Sequence, residues 1–265
     1  MDQPTPFPAN RIRRAWVEQR PAFGSFVFSH DAANSEIVAA AGFDFVIIDT
    51  EHTTLGAAEV EHHARACATY GAAALVRVPP EEIASCGRLL DAGAAGVVMS
   101  HFGADPAASR RLGSIVRYAP QGDRPSCSGV RSTHYGLRPF AETVRESNAD
   151  LLAIGIVEDV EALADLDGTL ARCRVDAVMP GPGDLSTALG VPGQPTHPRV
   201  REAIDEIHRA ARRAGIRAGM YLNMPDEFAG WRREDLDFFV YLFDYKVLAH
   251  AYGAARAAIA AVAQR

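Results

Sequence analysis

Lysine is almost missing from this chain: Lys246 is the sole example among 265 residues. It stands after the last apolar run, at the start of a final helix, so a Schiff-base mechanism, which needs a strand lysine, is excluded. Cysteine is sparse too. Cys67, Cys86, Cys127 and Cys173 are far apart, and the absence of a C-x-x-C pair argues against a zinc knuckle and against a disulfide framework; each reads as a small buried hydrophobe. There is no surplus of positive charge: the net charge is -6 and the pI about 5.8, unlike the basic footprint of a nucleic-acid binder. No apolar run approaches the roughly 18 residues of a membrane span, and "MDQPTPFPAN" has neither the basic nor the apolar part of a secretory leader, so a cytoplasmic protein is expected. The G-x-S-x-G elbow, the G-x-x-x-x-G-K-[ST] loop and the H-E-x-x-H helix are all absent.

What is present is a rhythm. With 48% apolar residues the chain can bury a full core, and eight β-rich runs recur at 22–28, 43–49, 73–79, 95–100, 151–158, 175–181, 216–222 and 236–243. They lack polar alternation, as strands buried on both faces do. Alanine-rich helical stretches lie between most of them, such as "AAEVEHHARACATYG" and "HPRVREAIDEIHRAARRAG", the second ending on a glycine suited to a helix C-terminus. Eight βα units over residues 1–265 predict one α/β domain, a (β/α)₈ TIM barrel, with a doubly wound open sheet as the structural rival. "NRIRRAWVEQR" (10–20) is expected to lie as an N-terminal helix across the barrel's bottom. "YAPQGDRPSCSGVRSTHYG" (118–136) is too long and too rich in Gly, Pro and Ser for a plain connection, which marks it as a functional loop or lid.

In such barrels the reacting groups come from the carboxyl ends of strands. The second run ends in Asp49, Glu51 and His52, the third carries Arg77, the fifth runs into Glu158, and the sixth passes through "MPGPGDLS" to Asp184. Glu158 and Asp184 could hold a hard divalent ion through oxygen, or simply favour the starts of the helices that follow them. For His52 the choice lies between a hydrogen-bonded structural histidine and a catalytic imidazole oriented by Asp49. A guanidinium inside an apolar strand needs an anion, so Arg77 calls for a substrate carboxylate or enolate oxygen, with an internal salt bridge as the alternative. His101 ends the fourth run and is a weaker candidate for the mouth; His30 reads as a helix-entry residue. His62 and His63, adjacent on one helix, point in different directions and do not share a metal. In "GPGDLS" the glycines suit a phosphate cradle, but Pro182 and Asp184 disfavour an anion there.

Together, "FDFVIIDTEHTTLG", "ALVRVP", "LLDAGAAGVVMS", "VRYAPQGDR", "IVEDVEAL" and "DAVMPGPGDLSTALG" resemble, in order and spacing, the metal-dependent class II pyruvate aldolases of the HpcH/HpaI family, over roughly residues 20 to 220. The resemblance implies Mg²⁺ or Mn²⁺, with Co²⁺ also suited, on Glu158 and Asp184, Arg77 at the keto oxygen of pyruvate, and His52 paired with Asp49 as the base. It also implies that the backbone of Gly181, Pro182, Gly183 and Asp184 receives the pyruvate carboxylate. The substrates so implied are 4-hydroxy-2-oxo acids, made from or cleaved to pyruvate and an aldehyde. The assembly implied is a homo-oligomer of dimers forming a hexamer, with the last helix exchanged between subunits. Three departures stand out: Ile156 where the family has the glutamine of Q-x-E, Ser100 and His101 where a proline is usual, and an altered C-terminal stretch from 220. They leave open related enolate chemistry on oxaloacetate, of the macrophomate-synthase or siderophore citrate-synthase kind, and a non-catalytic oxo-acid-binding protein.

Overall fold

The computed structural model describes residues 10–231 and 236–263. Eight parallel strands, β1 (Ala22–Val27), β2 (Phe45–Asp49), β3 (Ala73–Val78), β4 (Gly96–Met99), β5 (Leu152–Val157), β6 (Ala177–Pro180), β7 (Arg217–Leu222) and β8 (Phe238–Phe243), pair in chain order and close on themselves through β1 and β8. The expected barrel is thus the observed one, and the open sheet is excluded.

The strands read as continuous apolar runs because both of their faces are covered. Val46, Ile48, Val76, Val97 and Val178 pack outward under the helices, while Phe45, Ile47, Leu75, Val98, Ile154 and Phe238 fill the barrel interior. The helix Arg11–Val17 starts at Asn10, whose side chain accepts from the Ile12 amide at 3.1 Å, and it sends Ile12 into the interior cluster with Phe45, Ala73 and Phe238. This plugs the end where the strands begin. The helices Ala57–Thr69 and Pro198–Ala214 match the expected stretches, and Gly215 closes the second at φ 68°. On the first of them His62 is exposed and His63 buried, as their adjacency requires.

Three expectations need correcting or bounding. The 118–136 segment does not lid its own barrel mouth. It runs along the flank, where Arg124 bonds Asp91 and Arg131 reaches the Ala92 carbonyl, both near the C-terminal end of the helix Gly87–Asp91. Cys127 in this segment is exposed, while Cys67, Cys86 and Cys173 are buried as expected; chain position alone carried no signal of that difference. The amphipathic reading of "WRREDLDFF" falls partly on residues 232–235, and the leader reading on residues 1–9, both outside the described residues.

Candidate active site

Strand alternation decides which side chains reach the mouth. Inward-facing Phe26, Ile47, Leu75, Val98, Ile156 and Met179 are each followed two residues later by Phe28, Asp49, Arg77, Ser100, Glu158 and Gly181. The apolar interior therefore ends in a polar upper layer. A cavity of about 430 Å³ lies over it, lined by His52, Arg77, Glu158, Gly181, Pro182, Gly183 and Asp184 together with an aromatic wall of Phe28, Tyr221 and Phe243. The structure brings these sequence-selected residues together; Asp49 lies beneath, wholly buried, and does not line the cavity.

Asp49 and Arg77 are register partners on β2 and β3, so their side chains share the inner face and form an ion pair. The other Asp49 oxygen accepts from the backbone amides of Glu51 (2.9 Å) and His52 (2.8 Å). Asp49 consequently fixes the turn that carries His52 but does not touch its ring, which corrects the expected Asp49–imidazole pair. The internal salt bridge, the alternative reading of Arg77, is the one observed, and Arg77 also opens on the cavity. Its guanidinium lies 4.7 Å from the Phe26 ring centre and lines the cavity beside that pair.

Glu51 is the residue whose importance the sequence hid. It accepts from the Ser100 hydroxyl at 2.7 Å, lies 3.4 Å from Arg77 Nε, and has His52 Nε2 at 3.8 Å and His101 Nε2 at 3.7 Å. Ser100, one of the departures, thus holds a carboxylate that links both imidazoles to the guanidinium. His101 is also more central than its weak signal suggested. Its amide donates to Glu158 Oε1 at 2.9 Å, its Nδ1 lies 3.0 Å from Asp159, and its backbone takes a left-handed φ of 51°. Burial works against its charged form, but Glu158, Asp159 and Glu51 raise its pKa. The aromatic wall was findable, since Tyr221 and Phe243 close the seventh and eighth runs, yet nothing in the residues themselves marked them as site-forming.

Glu158 is 4% exposed, and burial pushes its carboxyl up to about 7, with the charges of Asp184 and Glu51 adding to the rise and His101 opposing it. Such a buried acid beside a second acid calls for a positive charge. Gly181 lets the Glu158 carboxylate lie against the 181–184 turn: a Cβ there would lie 2.2 Å from Glu158 Oε2. Asp184 is exposed in the first turn of the helix Pro182–Ala188, of which Gly181, not Asp184, is the N-cap. Among the described residues no three His, Cys, Asp or Glu side chains form a closed metal cage. Two carboxylates with open positions are the donor set of an ion such as Mg²⁺, which keeps water and substrate in its coordination sphere. The residues fit the group.

A closed parallel barrel whose strand ends gather acids, a guanidinium and imidazoles around one cavity is a (β/α)₈-barrel enzyme. Residues 22–251 match the HpcH/HpaI aldolase/citrate lyase family, and the chain belongs to that family. The match runs beyond residue 220 and takes in the altered C-terminal stretch. A hydroxypyruvate/pyruvate aldolase of Sagittula stellata is 31% identical, covering 80% of this chain and 83% of the relative. A 4-hydroxy-2-oxovalerate aldolase of Rhodococcus jostii is 30% identical, covering 83% and 84%. The crystal structure of an HpcH/HpaI aldolase from Desulfitobacterium hafniense superposes with a TM-score of 0.87 at 28% identity, over 93% of this chain and 95% of that one. The chain is accordingly an enzyme of the aldolase type, a carbon–carbon lyase.

Proposed function

We propose that this enzyme cleaves and forms 4-hydroxy-2-oxo acids through a pyruvate enolate, with a divalent metal ion held by Glu158 and Asp184. The observation that carries the reading is the single cavity onto which Arg77, His52, Glu158 and the 181–184 turn all open. Mg²⁺, Mn²⁺ or Co²⁺ bound there supplies Lewis acidity toward the carboxylate and keto oxygens of the substrate. The rest is the work of this chain's own groups. Arg77, held by Asp49 and Glu51, directs N–H donors at the oxygen that turns negative as the C3–C4 bond breaks, an interaction stronger in the transition state than in the ground state. His52, half exposed and 3.8 Å from Glu51, accepts the proton of the 4-hydroxyl as the aldehyde leaves. The backbone of the 181–184 turn receives the substrate carboxylate, Phe28, Tyr221 and Phe243 form an apolar wall beside it, and the enolate carbon takes a solvent proton to give pyruvate. In the synthetic direction the enolate attacks an aldehyde, and His52 returns the proton.

The test is exchange of the pyruvate methyl protons in deuterated water. Exchange that requires Mg²⁺ or Mn²⁺, stops on chelation and vanishes in Glu158→Gln is the expected result; exchange indifferent to the metal or to Glu158 would sink the reading, and tight pyruvate binding without exchange would mark a binding protein. A second reading rests on Ile156, which gives the cavity an apolar surface where the family resemblance implies the amide of a glutamine. In it the enolate arises by loss of CO₂ from oxaloacetate and is trapped by another electrophile; fast CO₂ release coupled to that trapping, with sluggish aldol cleavage, would favour it.

The same proposal includes a homo-oligomer built through the last helix, Asp244–Ala263. Beyond Asp244 none of its residues is buried on its own barrel, and Tyr252, Ile259 and Val262 are 74%, 67% and 72% exposed. That supports a subunit contact through this helix; the dimers forming a hexamer remain what the family resemblance implies. No helix among the described residues is long and apolar enough to cross a membrane.

A further inference from the structure

A second cavity, of about 240 Å³, lies on the flank of the barrel and shares no lining residue with the mouth. It sits among the helices Ala57–Thr69, Gly87–Asp91 and Phe140–Asp150, near the strands' N-terminal ends, and its floor is alanine: Ala64, Ala68, Ala73 and Ala95. Its other wall is cationic, with Arg124, Arg131 and Arg138 all lining it.

Two of its buried polar groups are left without a partner. Arg124 is 4% exposed; its Nη2 donates to Asp91 at 2.7 Å and to Ser132 at 3.2 Å, but its Nε–H meets nothing. Thr143, 2% exposed, has an unbonded hydroxyl. Both atoms have no accessible surface, so they lie behind the wall and cannot meet a guest in the cavity. Arg131 carries the case: it is half-buried, its bond is to the Ala92 carbonyl at 3.4 Å, and no carboxylate pairs with it among the described residues. Burial draws its pKa down, as it does for a guanidinium that lacks its anion. The acids on the wall do not supply one. Glu146 is taken by Arg138 at 2.6 and 2.8 Å, and Asp150 forms no ion pair with Arg131.

We propose that this flank cavity binds a small aromatic or branched monocarboxylate, its carboxylate on Arg131 and its apolar body on the alanine floor. The space suits this class, since a cavity of roughly 150 Å³ holds one benzene ring and this one leaves room for a head group as well. A doubly charged anion such as phosphate would be desolvated against alanine with too few donors, so one negative charge is the better match.

Benzoate is the probe, titrated into the full-length protein by calorimetry. Saturable binding of one benzoate per chain is expected, with benzyl alcohol, which keeps the ring and lacks the charge, binding at least about tenfold more weakly. Arg131→Met, which removes the charge, and Ala68→Leu, which fills the floor, should each weaken benzoate by about tenfold or more, while Arg77→Lys in the mouth, which keeps the charge beside buried Asp49, leaves it unchanged. No saturable binding, as when a neighbouring copy's side chains fill the space, overturns the proposal. So does loss in Arg77→Lys with retention in Arg131→Met, or equal affinity for benzyl alcohol in the wild type, a comparison that needs no variant to fold. The aldol reading stands or falls separately, on the pyruvate exchange above.

Discussion

Arg77 and His52 face the same cavity, yet their surroundings give them opposite mutational signatures. Arg77 is 10% exposed and neutralises Asp49, which is fully buried. Arg77→Met would strand that carboxylate and should cost about 3–5 kcal/mol of stability in urea unfolding. Arg77→Lys keeps the charge but loses the planar fork, so the enolate oxygen and Asp49 can no longer be served together; kcat should fall ~10²–10³-fold with the protein still folded. His52 is 56% exposed and 3.8 Å from its nearest acid, Glu51. His52→Ala should therefore leave the unfolding midpoint nearly unmoved while slowing aldol cleavage ~10²–10⁴-fold. Oxaloacetate decarboxylation needs no base for an alcohol proton and should change little. Equal losses in the two reactions would remove His52 from the base role. This contrast was half legible in the sequence: both residue types stood at strand ends, but which carboxylate served which cation depended on register. The pairing Asp49↔Arg77 is a relation between β2 and β3, and no single strand encodes it.

Among the elements, those whose signals are local were readable and those whose partners are distant were not. All eight strands fell on the expected runs because a strand covered on both faces needs an unbroken apolar stretch, and the helix Pro198–Ala214 showed its buried face and its glycine stop. The 118–136 segment read correctly as unusual and incorrectly as a lid, since its composition says that it is a long loop but not against what it packs. The last helix is the reverse case. Its alanine-rich sequence admits either a cover for its own barrel or a subunit contact, and beyond Asp244 it buries no residue on its own barrel. The proposed subunit contact is the reading that its exposed Tyr252, Ile259 and Val262 leave to be tested. Tyr252→Glu combined with Ile259→Glu should lower the mass found by size exclusion with light scattering, while circular dichroism of the barrel stays the same. An unchanged mass would return the helix to solvent and remove it from the assembly.

At the scale of the whole molecule, stability is linked to a histidine that takes no part in the chemistry. His63 is buried between the helices Ala33–Ala40 and Ala57–Thr69; its Nδ1 pairs with the Ser35 hydroxyl at 2.7 Å and its Nε2 has no partner. Burial lowers its pKa below the ordinary 6.5, with the nearby Ser29 backbone and the charges of Asp244 and Asp31 only partly offsetting the effect. The unfolded chain therefore takes up a proton near pH 6.5 that the folded one refuses. Its stabilising contribution is complete above that pH and shrinks as pH falls toward the depressed folded value, with a slope of up to about 1.4 kcal/mol per pH unit. Half-buried acids such as Asp150, whose pKa is raised, respond in the opposite sense, so the total curve mixes both. The difference between wild type and His63→Leu isolates the histidine. Wild type should lose ground relative to the variant between pH 7 and pH 5, and parallel stability curves across that range would show that folding does not change the protonation of His63.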